Sequence, residues 1–84
     1  MPESDVAEEE AVLRERLVDI WQEVLLLGAA HPDVDFVEVD GSSLTAVRLA
    51  NRVREVTGRR IGVGVIFEHP TPRDLAAALT GGTA

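Results

Sequence analysis

The chain has 84 residues, 45% of them hydrophobic, and a formal net charge of −7 from 15 acids against eight cations, all arginine. One small domain with a real core fits that length, but a deep enzyme cleft does not, because so short a chain buries only about 60–65% of its unfolded surface. The acidic balance argues against a phosphate-backbone binder, and the absence of cysteine excludes disulfides, thiolate metal sites and cysteine nucleophiles.

Residues 1–7 read as a flexible acidic N-terminal tail, the opposite of the basic start of a signal peptide. The longest apolar runs, 24–30 and 61–67, are too short to span a bilayer, so a cytoplasmic protein is expected. The first helix is expected over 8–27. Glu8, Glu9 and Glu10 suit a helix N-terminus, and Leu13, Leu17, Ile20, Trp21, Val24 and Leu25 recur every three or four residues, with Gly28 as the stop. His31-Pro32-Asp33 breaks the helix, and 28–42 reads as a long ordered loop pinned by Phe36 and Val37.

A second helix is expected from Ser43 to Thr57, capped by Asp40, Ser42 or Ser43 and ended by Gly58. Ala46, Leu49, Ala50, Val53 and Val56 form its inner stripe. At about 100° per residue, Leu44 and Val47 point away from that stripe and suggest a docking face. Residues 59–69 have strand-like propensity but no partner strand, so a loop leading into a short helical turn at 63–68 is the preferred reading. The last helix opens at Thr71 as N-cap, with Pro72 at the first helical position and Asp74 three residues after the cap; Leu75, Ala78 and Leu79 face inward, and 80–84 is a flexible C-terminal tail. The expected domain is 8–79. Trp21, Phe36 and Phe67 read as core anchors.

Asp40-Gly41-Ser42-Ser43-Leu44, at the loop-to-helix junction, is the sharpest local feature. A serine here is an N-cap, a nucleophile or a substrate for modification. His31 and His69 are the only candidate bases, and the spacing is not that of a nucleophile elbow, so catalysis by this chain is not expected. A hydroxyl at a helix N-terminus beside glycine and an exposed Leu44 is reachable by another enzyme, and the helix dipole favours an attached phosphate.

Ile20-Trp21-Gln22-Glu23-Val24-Leu25, Phe36, Val39-Asp40-Gly41-Ser42-Ser43-Leu44 and Phe67-Glu68-His69-Pro70-Thr71-Pro72 followed by Asp74-Leu75-Ala76 stand in the order and spacing of one family. Over residues 10–79 the chain resembles the phosphopantetheine-dependent carrier proteins, acyl carrier proteins and, more closely, peptidyl carrier proteins of nonribosomal peptide synthesis. The resemblance implies an all-α, four-helix carrier bundle with a long first loop and a short third helix. It also implies a monomeric, non-catalytic protein whose cofactor, 4′-phosphopantetheine, is covalently attached at Ser43, with Gly41 and Ser42 beside it and Leu44, Val47 and Arg48 docking partners. Those partners are a phosphopantetheinyl transferase, an adenylation or acyl-loading enzyme, and downstream condensation, tailoring or thioesterase enzymes. The arm's terminal thiol holds an aminoacyl, peptidyl or acyl group as a thioester, as in antibiotic biosynthesis.

Two positions depart from the family pattern: Asp40 stands for its first glycine, and Ser42 for the acidic or imidazole residue before the modified serine. Trp21 and the arginines of the second helix favour the peptidyl side, whereas Ser43-Leu44-Thr45-Ala46-Val47 with Asn51-Arg52 looks like polyketide-synthase carriers. With Met1 at its start and its end just past the last helix, a freestanding member is expected. The rival from another class is a small helical interaction module with the carrier fold that is never modified. Asp33, Asp35, Glu38 and Asp40 fail the calcium-loop pattern at Val37 and Glu38 and read as a solvated acidic loop. Arg48, Arg52, Arg54, Arg59 and Arg60 read as partners for Glu55 or acidic protein surfaces, not as a nucleic-acid face.

Overall fold

The computed structural model describes residues 2–81, with side chains from residue 7 onward. Within them lie five helices and no strand: α1 (Pro2–Val24), α2 (Phe36–Val39), α3 (Ser43–Thr57), α4 (Val63–Glu68) and α5 (Pro72–Thr80). The four expected helices are all present, and α2 is a single additional turn inside the long loop. No helix of the described residues is long and apolar enough to cross a membrane.

The apolar spacing decides how the helices meet. α1 packs against both α3 and α5, and α4 packs against α3. Leu17, Ile20 and Trp21 from α1 meet Leu49 and Val53 from α3, Ile66 from α4 and Leu75 from α5 in one buried cluster. Phe36 from α2 is fully buried in the same cluster. The Pro70 carbonyl ties the ends of this arrangement together, accepting from the Trp21 indole Nε1 at 3.1 Å and from the Phe36 N–H at 3.0 Å. Arg73 closes the outside of the loop with two hydrogen bonds to the Asp33 carboxylate, at 2.8 and 3.2 Å.

α3 keeps its expected bounds, and α5 starts where expected but runs one residue further, to Thr80, so that Thr80 is helical and Gly81 is its cap where a tail was expected. Thr71 Oγ1 accepts the Asp74 N–H at 3.1 Å, and Gly58 and Gly81 end their helices with φ of 78° and 72°. α1 differs from expectation at both ends. It runs from Pro2, so residues 2–7 continue the helix where a tail was expected; Met1 and, of the expected C-terminal tail, residues 82–84 lie outside the described residues. Its stop is Leu26, not Gly28. Leu27 N–H bonds Gln22 O at 2.9 Å and Leu26 N–H bonds Glu23 O at 3.4 Å, the paired closure of a Schellman motif, with Leu26 left-handed at φ 57°.

Leu26 is 89% exposed, so its side chain recovers little burial in return for that conformation. Leu26→Gly is expected to stabilise the fold by about 0.5–1 kcal/mol. That is a rise of about 2–8 °C in Tm for a domain of this size, measurable by thermal unfolding.

Three side-chain expectations are corrected. Val37 is 45% exposed and does not pin the loop; Phe36 alone does, since it is the residue of α2 that enters the core cluster. Phe67 is 38% exposed and leans on Phe36 with ring centroids 5.2 Å apart, a lid on the core more than an anchor within it. In α5 the buried residues are Pro72, Leu75 and Ala76, with Ala78 and Leu79 only partly covered.

Candidate functional site

α2 ends where the site begins. Asp35 caps it by accepting the Val37 and Glu38 N–H groups at Oδ1, and the Asp40 and Gly41 N–H groups both close onto Phe36 O. Since Phe36 is buried, this places the next residues over a fixed point of the core. Gly41 then turns the chain with φ 72°, and a Cβ there would sit 2.9 Å from Val37 O, so the position accepts only glycine without a shift of backbone.

The two serines that follow have different surroundings. Ser42 is the N-cap of α3. Its Oγ accepts the Thr45 N–H at 3.1 Å, its hydroxyl donates to Thr45 Oγ1 at 2.9 Å, and its own N–H donates to Asp40 Oδ1 at 2.9 Å. Thr45 completes the ring by donating its hydroxyl to Asp40 Oδ2 at 2.9 Å. Ser43, the first residue of α3, is exposed, and the hydrogen bonds of the motif leave its hydroxyl out. Ser42 O takes the Ala46 N–H, which leaves the first-turn N–H groups of Ser43 and Leu44 facing outward.

Asp40 is held below the usual carboxylate range by the Ser42 side chain and N–H, the Thr45 hydroxyl and the Arg48 charge. Its folded pKa being depressed, the charged form stabilises the motif above the unfolded value of about 3.9. That contribution disappears as pH falls through the lower folded value. The Ser42 amide resonance is expected to stay put from neutral pH to the ordinary carboxylate range and to move only below it. An NMR titration reads this directly, and Asp40→Asn removes the inflection.

Leu44 is 64% and Val47 40% exposed, on the α3 face away from the buried Ala46, Leu49, Ala50 and Val53, and Arg48 is exposed beside them. Two of the five arginines of the expected patch are used within the chain. Arg52 pairs with Glu23 at 2.9 Å and Glu55 at 3.1 Å, while Arg59 donates to Leu79 O and lies 3.9 Å from Glu9. The two histidines are elsewhere: His31 Nδ1 accepts the Asp33 N–H, and His69 ends α4. Among the described residues no group of three or more histidines and carboxylates is placed to hold a metal.

Thr45 is the residue that reading the sequence missed. It is buried, polar and central to the ring. The signal was present in the spacing Asp40-x-Ser42-x-x-Thr45, an Asx-type turn running into an N-cap whose partner is itself a hydroxyl.

The helix N-terminus of this small bundle thus presents one hydroxyl outside the capping ring, beside a glycine turn. The phosphopantetheine attachment site family matches residues 15–79, and the chain belongs to that family. Its members are carriers, substrates of a modifying enzyme and not catalysts, and they hold 4′-phosphopantetheine covalently. The chain is 45% identical over 65 residues to a dimodular nonribosomal peptide synthase of Bacillus subtilis (strain 168), covering 77% of this chain and 3% of that protein. It is 48% identical over 51 residues to the spectinabilin polyketide synthase system protein NorA′ of Streptomyces orinoci, covering 61% of this chain and 1% of that one. Both matches are therefore to small segments of far longer proteins. Among solved structures, a nonribosomal PCP domain aligns with TM-score 0.71 at 35% identity, over 77% of this chain and 83% of its own. BlmI, a type-II acyl-carrier protein from Streptomyces verticillus involved in bleomycin biosynthesis, aligns with TM-score 0.84 at 23% identity over the whole of both chains, which shows a shared fold.

Proposed function

We propose that Ser43 is the attachment residue and that residues 8–79 form a carrier unit for a biosynthetic intermediate of nonribosomal peptide or related secondary-metabolite synthesis. The observation that carries this reading is the contrast between the adjacent serines: both are exposed, but the Ser42 hydroxyl is committed to the helix cap and the Ser43 hydroxyl is not. The residues fit the group. Gly41 leaves the approach to Ser43 clear of a side chain, and the outward N–H groups of Ser43 and Leu44 with the dipole of a 15-residue helix favour a phosphodiester, by about 0.3–1 kcal/mol. When attached, phosphopantetheine supplies a long flexible tether ending in a thiol that holds an acyl group as a thioester.

The intermediate is aminoacyl or peptidyl on this reading, which is supported by the likeness to the dimodular nonribosomal peptide synthase and to the PCP domain. The spectinabilin relative supports the second reading, a carrier of polyketide acyl groups. Leu44, Val47 and Arg48 are the residues that a transferase, a loading enzyme and downstream condensation or thioesterase enzymes would contact in turn, an apolar pair next to one charge and next to the tether. The test is intact mass after incubation with coenzyme A and a promiscuous phosphopantetheinyl transferase, with the modified residue mapped by fragmentation. One phosphopantetheine on Ser43 is expected. No gain with several transferases would leave the unmodified interaction module as the better account.

A further inference from the structure

Two hydroxyls stand side by side at the start of α3, and nothing in their covalent chemistry tells them apart. We propose that the Asp40–Thr45–Ser42 ring makes modification single-site, with Asp40 and Thr45 as positioning residues that withhold Ser42 and leave Ser43 as the acceptor. This inference rests on the reading of Ser43 as the attachment residue and adds the reason for that choice.

The geometry spends every polar group of Ser42. Its N–H goes to Asp40 Oδ1, its hydroxyl proton to Thr45 Oγ1, its Oγ lone pair to the Thr45 N–H and its carbonyl to the Ala46 N–H. Thr45 is held in turn by Asp40 Oδ2, and at 8% exposure its hydroxyl has little access to water that would replace the ring. In the transfer reaction the acceptor Oγ attacks the pantetheine-side phosphorus of coenzyme A. The Oγ–P bond forms, the P–O bond to the adenosine-side phosphate breaks with its electron pair, adenosine 3′,5′-bisphosphate leaves, and the hydroxyl proton passes to a base of the transferase. For Ser42 to be the acceptor, it would have to give up its hydroxyl proton to that base and turn its lone pair out of the cap, undoing the two hydrogen bonds that its Oγ makes at the helix start. Ser43 gives up none. Gly41 sharpens the choice, because its left-handed turn, closed against Val37 O, brings the Asp40 carboxylate over the first turn of α3.

The test maps the modified residue in five chains: the parent, Thr45→Val, Thr45→Ser, Ser43→Ala and Ser43→Ala with Thr45→Val, each given coenzyme A and the same transferase, with folding checked by circular dichroism. The parent is expected to carry one group on Ser43, and Ser43→Ala none. Thr45→Val is expected to lower kcat/KM about tenfold by loosening the acceptor's placement and to divert part of the product to Ser42. The double variant is modified on Ser42. Thr45→Ser, which keeps the hydroxyl, restores both the rate and the single site, a rescue that lost packing alone does not predict. Ser42 modified in Ser43→Ala with Thr45 intact, or no Ser42 product in either Thr45→Val chain, overturns the inference while the attachment reading stands. A parent chain not modified on Ser43 overturns both.

Discussion

Ser43→Ala is expected to abolish uptake of phosphopantetheine completely while leaving the melting curve in place. The structure separates the two effects because the cap of α3 belongs to Ser42. Ser43 is exposed at the first helical position and its hydroxyl lies outside the capping ring, so its removal changes stability by no more than about 0.5 kcal/mol. Ser42→Ala has the reverse profile. It removes the oxygen that accepts the Thr45 N–H, a loss of about 1 kcal/mol, and it retains the acceptor hydroxyl next door. Measuring mass gain and thermal unfolding on both variants gives a crossed result that a single modified or merely structural serine pair would not produce. If Ser43→Ala is modified as the parent is, the attachment residue lies elsewhere.

Trp21→Ala is expected to leave the domain largely unfolded at physiological temperature. The side chain is fully buried, and its indole N–H is one of two donors on the Pro70 carbonyl that joins α1, α2 and the turn before α5. Truncating a buried tryptophan costs about 3–5 kcal/mol. A domain's whole stability is about 5–15 kcal/mol, and this chain is at the small end. Trp21→Phe keeps much of the volume and loses the donor. Pro70 O still holds the Phe36 N–H, so the expected loss is about 1–2 kcal/mol. Since Trp21 is the only tryptophan, the comparison uses circular dichroism in denaturant. The midpoint should fall in the order parent, Phe, Ala, with the slope unchanged between parent and Phe. An alanine variant as stable as the phenylalanine one would show that Trp21 is not the centre of the core.

The same two residues show what kind of information each description carries. Trp21 was legible as a core anchor because it sits in an apolar stripe of helical period, and period alone decides which face turns inward. The attachment motif was legible as a motif because a run of Asp, Gly and Ser before a helix stripe has few other uses. Thr45 was not, since a threonine at the third position of a helix reads as neutral until its partners are placed.

Composition, spacing and punctuation in the sequence by themselves determined the helical class, the bounds of α3, the start of α5, the short α4, and the outward direction of Leu44 and Val47. They succeeded there because the stop signals are local: a glycine with positive φ, a threonine cap, a proline at the first helical position. Only the tertiary structure decided the rest. α1 closed on a left-handed Leu26 and not on Gly28, with the Leu26 and Leu27 N–H groups bonded back to Glu23 O and Gln22 O. The loop acquired the turn of α2, because burying Phe36 requires its neighbours' N–H groups to find partners within the loop. The division of labour between Ser42 and Ser43 came from Asp40 and Thr45 meeting across the first turn, a contact that the local spacing permits but that only the placed side chains establish.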